Sequence, residues 1–257
     1  MTMRWVLLAA LFGAPVLAQA LPVSPTAPIT AGKVPPGYLI GKPPVDILKL
    51  LPALPAPGSA QDVADRADYA ASAAGIGGPD WVAAVQQLSP SSPEFLAALS
   101  CAVGTKLLLQ VTPASMTMVA RAGVDMIPAM TAAKQRYARP RPFTTDKGKA
   151  CDPISDDGIG ARLGWAYSSG HAGIGWLWAL ILSDAAPTHA NAIRRFGQAT
   201  GDLRVGCRVH WLSDVTNGRI LATSVYQRIA AGPEYQADLQ RAIAELSAAP
   251  PLVCKAN

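Results

Sequence analysis

The chain has 257 residues, half of them hydrophobic, with 22 basic against 17 acidic side chains and a formal charge of +5. That apolar share supports a full core and excludes a disordered polyelectrolyte, and a mild positive balance without basic runs gives no reason to expect a nucleic-acid polymer as partner. The four cysteines contain no CxxC pair, which argues against a zinc site.

Residues 1–20 read as a cleaved targeting signal. Arg4 is a charged start, residues 5–16 form a compact apolar run, and Ala18-Gln19-Ala20 suits a small-residue cleavage site. The run is shorter than the ~18–20 apolar residues that a spanning helix needs. A periplasmic or secreted protein is therefore expected, with no membrane span in the mature chain. In such an oxidising compartment four cysteines suggest two disulfides, with three pairings possible. Cys151 with Cys207 and Cys101 with Cys254 is favoured, because the first two flank motif segments that must converge.

Residues 21–60 hold ten of the 23 prolines, so an extended arm is expected there, with one short turn at 45–51. From 61 to 257 the pattern is helical and reads as the catalytic domain. Residues 61–74 form a helix ended by Gly75, Gly77 and Gly78, and 81–88 a short one closed by a Ser/Pro cluster. A strongly apolar helix is expected over 93–111, with proline in its first turn. The next starts at Thr112-Pro113 and carries Met116, Ala120, Val124 and Ile127 at helical spacing. It is expected to kink at Pro128 and run to about Tyr137, with Lys134 in its last turns.

A loop is predicted over 143–163, then a buried helix over 172–182 opened by His171. Further helices are predicted from Thr188, over 208–230, and over 233–248. No alternating strand pattern of any length occurs. The expected fold is all-α, a single-domain multi-helix bundle.

Chemistry concentrates in three segments, which hold two of the three histidines. His210 and Asp214, if helical, lie at i, i+4 on one face, so the carboxylate can hold Nδ1 and leave Nε2 free to attack phosphorus. Ser169, Gly170 and His171 open a helix, and such an N-terminus presents amides to an anion. His171 is placed to protonate a leaving oxygen. Lys134, Arg141 and Arg204 supply fixed cations, and phosphoryl transfer depends largely on positioning and on stabilising the charge spread over equatorial oxygens. The kit is that of a phosphatase.

The order K-x6-R-P, then S-G-H, then R-x5-H-x3-D resembles the signature of the phosphatidic acid phosphatase type 2 superfamily. Within it, the chain most resembles the class A bacterial non-specific acid phosphatases, over roughly residues 38 to 247. Tyr38 to Pro57 is similar to the family's proline-rich entry segment, and Cys151 and Cys207 sit where such proteins tend to have cysteine. The resemblance implies the bundle fold of the acid phosphatase/vanadium haloperoxidase type. It also implies phosphate binding by Lys134, Arg141, Ser169, Gly170 and Arg204. His171 would be the acid/base group, and His210, oriented by Asp214, the nucleophile forming a phosphohistidine. No cofactor or metal is implied. The implied partners are small phosphomonoesters and inorganic phosphate, in a homo-oligomer. Two positions depart from the pattern: Ser168 stands where the family has proline, and Leu203 where it has serine.

A vanadium-dependent haloperoxidase would use the same site architecture, but such enzymes are much longer. A membrane lipid phosphatase is opposed by the missing span, and a phosphate-binding protein without turnover by the presence of both histidines. Asp152, Asp156 and Asp157 are read as a solvated loop rather than a metal site. His189 is read as exposed. Trp165, Trp176, Trp178 and Trp211 are read as core residues, one of which could line the substrate mouth.

Overall fold

The computed structural model describes residues 35–153 and 163–254; the leader expected over 1–20, and Asp156 and Asp157, lie outside the described residues. Among the described residues the elements are helices, joined by one isolated antiparallel bridge between Thr105 and Pro251. The helices are α1 (Ile47–Leu50), α2 (Ala60–Ala71), α3 (Pro79–Gln86), α4 (Pro93–Val103), α5 (Pro113–Tyr137), α6 (Pro142–Thr145), α7 (Gly170–Ala185), α8 (Ala190–Gly206), α9 (Leu212–Ala230) and α10 (Pro233–Ala248). This is the all-α bundle that the periodicity predicted.

Helix α7 is the hub. It is apolar on nearly every side, and α5, α8, α9 and α10 pack around it. Leu177, Ala179, Ile181 and Leu182 are fully buried among Phe95, Leu99, Met118, Met126, Ile193, Leu221 and Val225. A second, smaller cluster gathers Tyr69, Ala84, Phe143, Ala166, Val209 and Trp211 with the disulfide cysteines Cys151 and Cys207. The other disulfide joins Cys101 in α4 to Cys254 near the C-terminus. Both bridges follow the favoured pairing.

Residues 35–58 run along the bundle, held by polar contacts from several helices. Asp125 of α5 accepts the Tyr38 and Leu39 N–H groups at 2.7 and 2.9 Å. Arg121 donates to the Pro36 carbonyl at 2.9 Å and stacks on the Tyr38 ring, whose hydroxyl donates to Asp238 at 2.7 Å. Nearer the site, Tyr137 and Tyr167 donate to the carbonyls of Leu51 and Pro52 at 3.1 and 3.0 Å.

Several boundaries differ from expectation for local reasons. Helix α4 stops at Val103 instead of running to 111, because Gly104 adopts a left-handed φ of 80° and its N–H caps the last turn. Helix α5, by contrast, runs through Pro128 to Tyr137, the span expected. Thr188 does not open α8; Pro187–His189 form a tight turn first, and exposed His189 takes the N-cap position without a side-chain capping bond. The loop predicted from 143 begins with the single turn α6. Helix α9 begins at Leu212, four residues later than expected, which changes how His210 is held.

Candidate active site

The end of α5 sets the first wall. Ala138 takes a left-handed φ of 44° and turns the chain out of the helix, so the next residues run back along the end of the bundle. Arg141 is buried there and saturated with acceptors. Its Nη1 donates to the Val209 carbonyl at 2.8 Å, Nη2 to Leu163 at 2.7 Å, and Nε to Gly164 at 2.8 Å. The same Nη1 stands 3.2 Å from His210 Nε2. Lys134, one turn before the end of α5, donates Nζ to the Trp165 carbonyl at 2.5 Å.

Helix α7 supplies the second wall. Ser169 is its N-cap, with its hydroxyl accepting from the Ala172 N–H at 3.4 Å. The Ser169 N–H donates to the Asp214 carbonyl at 3.0 Å, tying this turn to α9. Gly170 and His171 are the first helical residues, so their N–H groups point outward rather than into the helical ladder. Gly218 of α9 lies so close that a Cβ there would sit 2.5 Å from the Ser169 carbonyl oxygen. Only a hydrogen fits at that crossing. His171 has one ring nitrogen engaged: Nε2 lies 2.8 Å from the Leu88 carbonyl, which fixes it as the N–H and leaves Nδ1 as the open position.

The third wall corrects the helix-face reading of His210 and Asp214. His210 precedes α9, Trp211 is the N-cap in an extended conformation, and Asp214 is the third helical residue. Asp214 Oδ2 folds back to accept the Trp211 N–H at 2.9 Å, as acidic residues in a first helical turn do. The same oxygen stands 3.4 Å from His210 Nδ1. The pair forms across a helix cap, not along a helix. Upstream, Arg208 has a left-handed φ of 66° and is pinned to the carbonyls of Tyr69 and Lys149 at 2.6 and 2.8 Å. That bend carries the chain from α8 into the site. Arg204, in the last turn of α8, is buried and donates to the Ala84 carbonyl at 2.9 Å.

The electrostatics follow from burial among cations. Burial, reinforced by Arg141 and Lys134, holds His210 well below its ordinary value, so its ring is neutral. His171 is pushed down to about 4 by burial and by Arg204. Burial and the Arg141 charge bring Lys134 down to about 8, and burial lowers Arg141 and Arg204 to about 10 each. All three remain cationic at neutral and acid pH. Asp214 is raised to about 6 by burial, against the opposing pull of Arg139 and of the Trp211 N–H.

The structure thus gathers Lys134, Arg141, Arg204, Ser169, Gly170, His171, His210 and Asp214 into one region. Sequence reasoning missed what supports them. Arg139 donates to Asp214 Oδ1 at 2.6 Å and to Asp65 Oδ2 at 2.7 Å. Asp65 in turn accepts the Ser213 N–H at 3.0 Å and its hydroxyl at 2.5 Å. Arg139 was visible only as a spacer residue between Lys134 and Arg141, and nothing in α2 marked Asp65. Leu88 and Ala84 act through carbonyls, which side-chain identity cannot announce. Of the tryptophans, Trp211 is buried while Trp165 is 46% exposed beside Lys134. No group of metal-ligating side chains occurs among the described residues, and no helix among them is long and apolar enough to cross a membrane.

Comparison with known proteins bears on this geometry. The model of the PAP2 superfamily matches residues 111–236. A non-specific acid phosphatase of Salmonella typhimurium is 32% identical over 198 residues, covering 76% of this chain and 78% of the relative. An acid phosphatase of Zymomonas mobilis is 31% identical over 173 residues, or 67% and 65% of the two chains. A non-specific acid phosphatase of Providencia stuartii is 37% identical over 114 residues, 44% and 45% of the two.

Proposed function

The chain belongs to the PAP2 superfamily and, within it, to the class A bacterial non-specific acid phosphatases, and from that membership we propose that it hydrolyses small organic phosphate monoesters through a phosphohistidine on His210, without a metal ion, in the periplasm or outside the cell. One observation carries the mechanism: His210 is buried with Asp214 at Nδ1 and the Arg141 guanidinium at Nε2, surroundings that favour the neutral ring.

The steps follow from that arrangement. Lys134, Arg141 and Arg204, with the Ser169 hydroxyl and the Gly170 and His171 amides, hold the non-bridging oxygens of the phosphoryl group. Arg141 leaves the Nε2 lone pair for a phosphoryl oxygen as substrate enters. Nε2 attacks phosphorus, the bond to the ester oxygen breaks, and the His210 ring becomes cationic with its Nδ1 proton facing Asp214, whose ionised form the new positive charge favours. His171 Nδ1 gives its proton to the departing alkoxide. It then takes one from the water that attacks the phosphohistidine, releasing inorganic phosphate and restoring His210.

His171 at about 4 would be a poor proton donor at mildly acidic pH. The phosphoryl dianion brought beside it offsets Arg204 and raises that value, so substrate itself charges the acid. Three fixed cations supply the charge that a metal would otherwise provide.

Turnover of p-nitrophenyl phosphate against pH, with and without EDTA, together with acid quenching to trap an acid-labile phosphoenzyme, tests the reading. A mildly acidic bell-shaped profile insensitive to EDTA is expected. Activity lost in EDTA and restored by a divalent ion would overturn the metal-free step.

A further inference from the structure

Asp214 has two carboxylate oxygens with separate duties. Oδ2 faces the Trp211 N–H and His210 Nδ1, while Oδ1 receives Arg139 Nη1. The Arg139 guanidinium spans from Asp214 to Asp65, and the same Nη1 also donates to the Ser213 hydroxyl at 2.7 Å. Asp65 closes the ring by accepting both the Ser213 N–H and its hydroxyl. Every member is buried: Asp65 at 1% exposure, Arg139 at 7%, Ser213 at 7% and Asp214 at 0%. Two carboxylates and one guanidinium removed from water cost folding free energy unless fully bonded. Trp211 roofs the ring, with the guanidinium carbon 5.2 Å from its ring centroid. Asp65 comes from α2, outside the segment that the superfamily model matches.

We propose that Arg139 and Asp65 are positioning residues that fix the orientation and ionisation of Asp214, and through it the tautomer of His210. The proposal rests on the reading of His210 as nucleophile. Neither residue touches the phosphoryl group; the ring acts by presenting one oxygen of Asp214 to the histidine and by favouring its ionised form. A buried carboxylate beside a second carboxylate tends to take up a proton, and the cation between them opposes this. The charged and titratable groups facing Asp214 are Lys134 from α5, Arg139 and Arg141 from the turn after it, Asp65 from α2, Tyr167 before α7, and His210. Of these, Arg139 draws Asp214 toward its ionised form against the effect of burial, and Asp65 works the other way while also anchoring Arg139.

That opposition gives a test that a purely structural role fails. The kcat and KM for p-nitrophenyl phosphate are measured from pH 4 to 8 for Arg139→Gln, Arg139→Lys, Asp65→Asn, Asp214→Asn and the Arg139→Gln/Asp214→Asn double variant, with circular dichroism as the check of folding. Arg139→Gln should lower kcat about 10- to 100-fold with KM within about threefold, since orientation at the reacting centre is lost rather than substrate binding. Its acid limb should move to higher pH. Asp65→Asn should move that limb to lower pH, and Arg139→Lys should recover part of both rate and profile. In the Asp214→Asn background Arg139→Gln should cost less than about threefold, because residues acting as one unit are not additive. An acid limb unmoved in Asp65→Asn and Arg139→Lys would overturn the proposal even if Arg139→Gln fails to fold, and where that variant folds, full additivity with Asp214→Asn would do the same. An Asp214→Asn enzyme as fast as the wild type overturns the assignment of His210 and Asp214, and the proposal with it.

Discussion

Arg141 Nη1 stands 3.2 Å from His210 Nε2, so a buried cation of the site is aimed at the atom that would attack phosphorus. The contact favours the neutral ring with its proton on Nδ1, and it places a donor where a phosphoryl oxygen must arrive. His210→Ala should therefore abolish both turnover and the trapped phosphoenzyme while leaving the fold intact. Arg141→Lys should keep the charge but lose the planar fork, lowering kcat on the order of 100-fold. Burst kinetics surviving in His210→Ala would refute the nucleophile.

His171 has its Nε2 committed to Leu88, so proton delivery must use Nδ1. In His171→Ala, alkyl phosphates should lose about 100- to 10,000-fold in kcat, the usual contribution of a general acid. Aryl phosphates such as p-nitrophenyl phosphate should lose less in the phosphorylation step, because their leaving groups depart with little protonation. Equal losses for the two substrate classes, measured under single-turnover conditions, would move the acid elsewhere.

Vanadate accepts a fifth ligand and so resembles phosphorus during transfer. Competitive inhibition well below substrate concentrations is expected, weakened sharply in Arg204→Ala and Lys134→Ala. The loaded protein should oxidise little bromide with peroxide. Efficient bromide oxidation together with negligible phosphatase activity before loading would favour haloperoxidase chemistry instead.

Stability should depend on pH through the two buried histidines. His171 falls from an unfolded value of 6.5 to about 4, and His210 shifts in the same direction. The unfolded chain then binds more protons than the native one between those values, so stability is lost as pH falls from about 6.5 toward 4. Asp214, raised from 3.8 to about 6, works the other way: its contribution is full below 3.8 and is lost as pH rises through 6. Within the site, two histidines against one aspartate leave a net loss on acidification. Inorganic phosphate at ten times its Kd should return about 1.4 kcal/mol, or roughly 3–6 °C in Tm. A Tm at pH 5 indifferent to phosphate would contradict an anion site between these groups.

Gly218 lets α9 cross the first turn of α7 at a distance that admits no methyl group. Gly218→Ala should push on the Ser169 carbonyl, costing about 1–3 kcal/mol in stability and displacing the amides that face the phosphoryl group. Gly123→Ala on α5 is the matched control, since its Cβ would meet Trp178 Nε1 at an ordinary 3.7 Å. Thermal melts and kcat of the two variants should diverge, with only the α9 variant impaired in both.

Much of the bundle was legible because long helices repeat their apolar positions. The spans of α5 and α10 agree with the periodicity, for each begins at a proline and buries one stripe. The overrun of α4 came from Leu107, Leu108 and Leu109, which read as more helix although Gly104 had already ended it. The start of α9 was misplaced because an Asp at a first-turn position looks, in sequence, like an Asp one turn along from a histidine. The motif side chains were visible as residue types at fixed offsets. Their supports were not, since Asp65 lies 74 residues from Arg139, and a backbone carbonyl acceptor leaves no trace in residue identity.

The stretch from Asp65 to Leu88 grips all three parts of the site: Asp65 holds Arg139, the Tyr69 carbonyl and Ser72 hold Arg208, the Ala84 carbonyl holds Arg204, and the Leu88 carbonyl holds His171. Asp65, Tyr69, Ser72, Ala84 and Leu88 all lie before the matched segment 111–236. The part of the chain that carries the recognisable letters is therefore not a portable module. Excised or grafted onto another scaffold, it would bring its reactive groups without the frame that aims them. During synthesis the frame emerges first and must wait for its cargo.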